Sequence, residues 1–245
     1  MTPASWLAAL WIGVASAGLT GSAMAERLLI AAETTFAPFV MLDDAGELTG
    51  FDRVFGDEMC ARAGLTCDWV LTEFDQLIPG VVAGRFDLAM SGLGDSPERR
   101  ALVDFTAIYL PSSVPSAYVG PLGAPPPDAA LIGVQAGTIH EAHVASRALR
   151  YQSFDTAQAA LAAMAAGRVN LVFGSSSYFE QILPRTYPMF QFLSFDPVAV
   201  DGTAIAIAKG RDDLRNQLDA TIAAMLADGT VAQMARFWFT ARNNL

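Results

Sequence analysis

The chain has 245 residues, 53% apolar and 16% charged, enough for one large or two modest folded units and too apolar for a disordered chain. Its net charge is −10 and no basic run exceeds the pair Arg99-Arg100, which makes nucleic acid and anionic membrane surfaces poor partners. With only His140, His143, Cys60 and Cys67 available, a cysteine-rich metal site is excluded.

Residues Met1 to Ala25 carry no charged side chain. An apolar run from Trp6 to Thr20 leads into Ala23-Met24-Ala25, a small-x-small pattern of the kind signal peptidase cuts, and charge resumes at Glu26-Arg27. No Lys or Arg precedes the run, and a stretch this long can also span a bilayer as an uncleaved anchor. Gly13, Gly18 and Gly21 interrupt it, and the pattern is read as a cleavable signal peptide over 1–25 with an exported product. No cysteine stands at the cleavage point to carry a lipid.

Leu28 to Ala32 reads as the first strand, followed by Glu33-Thr34-Thr35-Phe36-Ala37-Pro38-Phe39. Taken alone, Phe36 and Phe74 suit a core better than a cleft, and Glu33 can simply cap the turn; if all three face a cleft, they suit an apolar or cationic moiety. Cys60 and Cys67 enclose a short loop in which Gly64 can end a helix in a left-handed cap, and in an oxidising compartment they read as a structural disulfide.

An internal repeat organises the rest. Ala83-Gly84-Arg85-Phe86-Asp87-Leu88-Ala89-Met90 recurs as Ala166-Gly167-Arg168-Val169-Asn170-Leu171-Val172-Phe173. Each copy follows a helical stretch, Phe74 to Ala83 or Thr156 to Ala166, and each continues as a short buried strand ending in small polar residues: Ser91-Gly92 or Gly174-Ser175. Ser96-Pro97-Glu98-Arg99 reads as a helix start with Ser96 as N-cap, and Arg99 there offers a bidentate fork for an anion held at the helix end.

Between the copies, six of the 13 prolines fall between Pro111 and Pro127. Val114 to Val119 is expected as an edge strand crossing between two bodies, and Thr203 to Ala208 as a strand crossing back. Helices over Asp212–Leu226 and Thr230–Phe239 follow. The economical architecture is two α/β lobes, 26–112 with 201–245 and 113–200, joined by two crossing strands, with a ligand at the facing strand ends and hinge closure around it. His140 and His143 share a helix face but have no evident third ligand, so no metal site is expected. No Gly-x-Ser-x-Gly elbow and no phosphate loop occur, so neither enzyme chemistry nor a cofactor is expected.

In order and spacing, Phe36-Ala37-Pro38-Phe39, Gly50-Phe51-Asp52, the Cys60/Cys67 pair, Leu77-Ile78-Pro79-Gly80, Gly84-Arg85-Phe86-Asp87, Pro97-Glu98-Arg99-Arg100 and Val103-Asp104-Phe105-Thr106 form a recognisable series. Gly137-Thr138, Asp228-Gly229-Thr230 and Phe237-Trp238-Phe239 complete it. The chain resembles the family 3 extracytoplasmic solute-binding proteins of polar amino-acid ABC transporters, the group of the lysine/arginine/ornithine and histidine binders. The resemblance implies the two-lobed, type II periplasmic binding protein fold, a cleft between the lobes, and a monomer serving an inner-membrane permease. By the same resemblance Arg99 clasps a ligand carboxylate with help from Thr138. Ser91, Gly92 and Gly94 then hydrogen-bond the ligand backbone, Phe36 and Phe74 stack on it, and Glu33 receives a distal cation.

Several positions depart from that pattern. Ser175 stands where the family usually has an aspartate for the α-ammonium, with His140 near a cleft motif. Gly92 and Gly94 replace residues that are often serine, Asp95 sits beside the presumed carboxylate site, and Arg53 and Val54 break the acidic pattern after Asp52. Either Glu33, Glu141 or Asp95 substitutes for the aspartate, or the ligand is not a standard α-amino acid. The expected function is capture of a small carboxylate-bearing solute, an amino acid or close analogue; the alternatives are a dehydratase-type enzyme on the same fold and an accessory module with a vestigial cleft.

Overall fold

Six residues, Arg27 to Ala32, form β1, and Leu28, Ile30, Ala31 and Ala32 in it are fully buried. Burial on both faces is what a central parallel strand covered by helices requires. The computed structural model describes residues 27–111, 115–198 and 200–241, so the expected signal peptide lies outside the described residues. After β1 come a small antiparallel sheet of β2 (Thr35–Phe36), β3 (Val40–Leu42) and β4 (Leu48–Thr49), then α1 (Phe51–Ala63) and β5 (Thr66–Leu71). A 3-10 turn over Phe74–Gln76 runs into α2 (Leu77–Val82), followed by β6 (Leu88–Ala89), α3 (Pro97–Arg100), β7 (Asp104–Phe105) and β8 (Leu110–Pro111).

The second unit contains β9 (Ser116–Gly120), β10 (Ile132–Gln135), α4 (Ile139–Ser146), β11 (Tyr151–Phe154), α5 (Ala157–Ala165), β12 (Leu171–Ser175), α6 (Ser176–Thr186) and β13 (Gln191–Phe195). The chain then returns through β14 (Gly202–Thr203) and β15 (Ala206–Ile207) to α7 (Asp212–Ala227), α8 (Thr230–Arg236) and a last wide turn over Phe237–Ala241.

Two five-stranded sheets result, ordered β5-β1-β6-β15-β7 and β11-β10-β12-β9-β13. In the first, β1 runs parallel to β5 and β6; in the second, β10 runs parallel to β11 and β12. The two copies of the repeat occupy equivalent places, with Gly84 and Gly167 after α2 and α5 at φ 68° and 71°. Each sheet has apolar cores on both faces: α1, α7 and α8 cover one side of the first, and α2 the other.

The crossing differs from the expectation. Val114 lies outside the described residues, and β9 is an interior strand, paired antiparallel with both β12 and β13 and buried along its length. Pro115 precedes it, and its five residues all keep the N–H that a central strand needs. The link between the sheets is instead the short antiparallel pair of β8 with β14, Leu110 to Thr203 and Pro111 to Gly202. Thr203 to Ala208 thus divides between that link and β15 in the first sheet.

The expected disulfide is present: Cys60 near the end of α1 joins Cys67 in β5, with Gly64 left-handed at the turn between them. Replacing both cysteines by serine should lower stability by about 2.5 kcal/mol on the chain-entropy argument. That loss should appear in calorimetry as a melting point roughly 5–10 °C lower.

Candidate functional site

A cavity of about 420 Å³ lies between the two sheets, walled from one side by Phe36, Phe74, Gly92, Gly94 and Arg99 and from the other by Thr138, His140, Phe173, Ser175 and Tyr178. Eight of the ten expected site residues therefore meet there: Arg99, Thr138, Gly92, Gly94, Phe36, Phe74, Ser175 and His140. Glu33 and Ser91 are not part of the wall. Ser91 is fully buried, its hydroxyl donating to Glu33 O at 3.1 Å and lying 3.2 Å from Glu33 N. Glu33 is 3% exposed; its Oε1 takes the Thr35 N–H at 2.7 Å, closing the turn after β1, and burial pushes its pKa up.

Arg99 dominates the electrostatics. Ser96 caps α3 as the sequence implied, its hydroxyl accepting from Arg99 N at 3.4 Å, but the helix is a single turn ending at Arg100. Its dipole adds little, and the side chain, not the helix end, supplies the positive charge. Arg99 is 8% exposed; its guanidinium sits 5.5 Å from the Phe74 ring and donates to two carbonyls: Gly94 O at 2.8 Å and Gly137 O at 3.0 Å. The second bond crosses from the first sheet's unit to the second. Burial lowers its pKa to about 10, so it stays charged at neutral pH. Its neighbour Arg100 is the one that pairs with an acid, holding both oxygens of Asp95.

Gly92 has a firm physical reason. Its φ is +59°, and a Cβ there would stand 2.6 Å from the Phe36 ring. That ring stacks on Phe39, centroids 5.1 Å apart, and meets Tyr178 of the opposite unit at 6.3 Å. The Gly92 N–H donates to Asp52 Oδ2 at 2.6 Å, so the strand-end amide is already committed. Asp52 is fully buried, also accepts from Tyr109 OH at 2.9 Å, and burial raises its pKa to about 7.

Across the cavity, Thr138 caps α4: its hydroxyl accepts from Glu141 N at 3.2 Å and donates to Gln135 O at 2.7 Å. The start of α4, beside the Gly137 carbonyl that Arg99 grips, adds its dipole to the same region. Gly137 approaches so closely that a Cβ would lie 2.8 Å from Asp75 Cα across the cleft. His140 bonds Ser116 Oγ at 3.1 Å; burial, with Arg99 and His143 adding to it, pushes its pKa down to about 3. Ser175 ends β12 as expected, and its hydroxyl bonds Ser177 Oγ at 2.9 Å.

The sequence reading missed Ser116, Tyr178, Val200 and Phe239, all on the cavity wall. Only the last had a signal, the aromatic ending Phe237-Trp238-Phe239; the other three reach the cavity through chain crossings that no local pattern marks. Among the described residues, no cluster of His, Cys, Asp and Glu could hold a metal ion.

The model of a family described as bacterial extracellular solute-binding proteins, family 3, matches residues 28–241. The lysine/arginine/ornithine-binding periplasmic protein of Escherichia coli strain K12 is 27% identical over 244 residues, covering 94% of each chain. The L-arginine-binding protein of Pseudomonas aeruginosa is 29% identical over 231 residues, covering 86% of this chain and 87% of its own. A periplasmic His/Glu/Gln/Arg/opine family-binding protein from Silicibacter pomeroyi, solved in complex with lysine, is 32% identical with a TM-score of 0.80, covering 86% of this chain and 96% of that one. An ancestral amino acid-binding protein described as a precursor of cyclohexadienyl dehydratase shares the fold, with a TM-score of 0.74 at 23% identity over 87% of this chain and 96% of that one.

Proposed function

The chain belongs to the bacterial extracellular solute-binding proteins of family 3, and on that premise we propose that it captures a small carboxylate-bearing solute between its lobes for an inner-membrane ABC permease. The observation that carries the reading is Arg99: a buried, charged guanidinium on the wall of an interlobe cavity, hydrogen-bonded among the described residues to two carbonyls and able to turn its fork to a carboxylate. In this reading lobe I is 26–112 with 201–245, lobe II is 113–200, and the Arg99 bond to Gly137 is the clasp that a bound anion reinforces on hinge closure. The eight wall residues named above, with Arg99 as the anion anchor, are the proposed ligand contacts. Residues 1–25 act as the export signal, and the product works as a periplasmic monomer.

Binding without catalysis fits the only imidazole on the wall. A histidine held near pKa 3 stays neutral at working pH and makes a poor general base. The reading is tested by thermal unfolding of refolded, solute-free protein against amino acids, their deaminated analogues, amines and dicarboxylates. A ligand present at a thousand times its dissociation constant adds about 4 kcal/mol, a rise of roughly 8–16 °C. Carboxylates should raise the melting point and amines without a carboxylate should not; a shift with amines alone overturns the assignment of Arg99.

A further inference from the structure

We propose that the solute held in this cleft is a carboxylate without an ammonium group, its remaining body apolar. The inference rests on the reading of the cleft as the binding site. Among the described residues on the cavity wall the charged ones are Arg99 and Arg236, both cations; no Asp or Glu is present. An anion therefore leaves the buried end of the cavity electrically matched, whereas a zwitterion brings in a cation with no carboxylate to receive it.

Of the acids near the cleft, Asp75, Glu98 and Glu141 line a neighbouring hollow and not this wall, and Asp95, Glu141 and Asp52 are held by other groups. Asp95, 1% exposed, is held through both oxygens by Arg100. Glu141 takes the Gly137 N–H on Oε2 and the Ser153 hydroxyl on Oε1. Both oxygens of Asp52 are occupied by Gly92 N–H and Tyr109 OH. Glu33 lies off the wall with Oε1 on Thr35 N–H; its Oε2 is buried without a hydrogen-bond partner, and burial there disfavours the charged form that a cation would need. The other polar side chains on the wall are uncharged, among them the paired Ser175 and Ser177 hydroxyls, Ser116 with the neutral His140, Gln135, Thr138, Thr203 and Tyr178. Beyond them the wall is apolar, with Phe36, Phe39, Phe173, Val200 and Phe239. A ring or branched chain placed there removes apolar surface from water on both partners.

Protein recovered from the periplasm of an expressing strain, unfolded in guanidinium to release carried-over solute and refolded, is titrated calorimetrically with three matched pairs. These are phenylalanine with 3-phenylpropanoate, leucine with 4-methylpentanoate, and arginine with 5-guanidinopentanoate. In every pair that binds, the amine-free acid should bind at least tenfold tighter, the effect of one charge-assisted hydrogen bond left unmade. An amino acid binding as tightly as its partner, or more tightly, overturns the inference and leaves the cleft reading standing. No binding by any of the six, or binding that Arg99→Ala does not weaken, overturns the cleft reading and the inference with it. The variant Ser175→Asp puts a carboxylate on the wall and should move the preference at least tenfold toward the amino acid, while the neutral Ser175→Asn should not; a preference unmoved by Ser175→Asp counts against the inference.

Discussion

Replacing Arg99 by methionine should remove solute binding while leaving the empty protein folded and close to its original stability. Truncating one member of a buried, hydrogen-bonded charge pair costs about 2–5 kcal/mol, so the dissociation constant should rise on the order of 30- to several thousand-fold. The solute-free protein has less to lose. Arg99 is buried with no acid bonded to its guanidinium, and a methionine retains much of the packing over Phe74 while relieving a charge of its desolvation. Against that relief stand the Gly94 and Gly137 carbonyls, each losing a bond worth roughly 1 kcal/mol. These terms nearly cancel, and the melting point without solute should move by only a few degrees. Arg99→Lys keeps the charge but not the planar fork, and should fall between the two. Calorimetric titration together with thermal unfolding measures both halves; an unchanged dissociation constant in Arg99→Met refutes the anion role.

The second large effect is a pH dependence at Asp52. Its carboxyl is fully buried and its pKa is raised to about 7, burial outweighing the bonds from Gly92 N–H and Tyr109 OH. In the unfolded chain an aspartate titrates near 4. Between those values the folded protein keeps the proton and the unfolded chain releases it, so stability falls as pH rises. The contribution is complete below about pH 4 and gone above about pH 7. The slope approaches about 1.4 kcal/mol per pH unit, to a total on the order of 4 kcal/mol. Asp52→Asn removes the titration while offering one acceptor and a donor that the Tyr109 hydroxyl can rotate to receive. Denaturant unfolding at intervals from pH 4 to 8 should show the asparagine variant gaining on the parent steadily as pH rises. Parallel curves mean that Asp52 does not hold its proton in the folded state. Because Asp52 fixes the Gly92 amide beneath the Phe36 ring, its ionisation also bears on the floor of the cleft.

What the sequence revealed follows from which interactions are local. The Ala-Gly-Arg repeat could be read because a helix stop, a left-handed glycine and a short buried strand are encoded within a dozen residues, and Gly84 and Gly167 take nearly the same φ. Ser96 as a cap and the Cys60–Cys67 bridge were likewise short-range features. The length of α3 was not legible: Pro97 announces a start, but the helix lasts one turn before the chain enters β7 at Asp104, whose pairing with Ile207 lies over 100 residues on. Prolines around Val114–Val119 pointed to an edge, yet β9 occupies the middle of its sheet because pairing with β12 and β13 is settled by residues up to 78 positions away, as for Phe195 with Ala117. Glu33 illustrates the limit for the site. Its type and place after β1 fit a cation receptor, but it is buried off the wall with Oε1 held by Thr35, a placement that only the assembled turn decides. Tyr178, Ser116 and Phe239 reach the cleft from three separate segments, and only the assembled sheets bring them together.

The return of the chain to its first sheet has a kinetic consequence. The largest core of lobe I joins Leu28 and Ile30 of β1 to Leu218, Ile222 and Met225 of α7 and to Trp238, almost the whole described length apart. Residues 115–198, in contrast, pair only among themselves to complete the second sheet. Loop-closure entropy delays the first of these and spares the second, so the inserted lobe can condense while its host is still open. A chain made from its amino end holds the apolar face of β1 and α1 uncovered until nearly its last residues arrive, and any truncation short of α7 leaves that face available for aggregation.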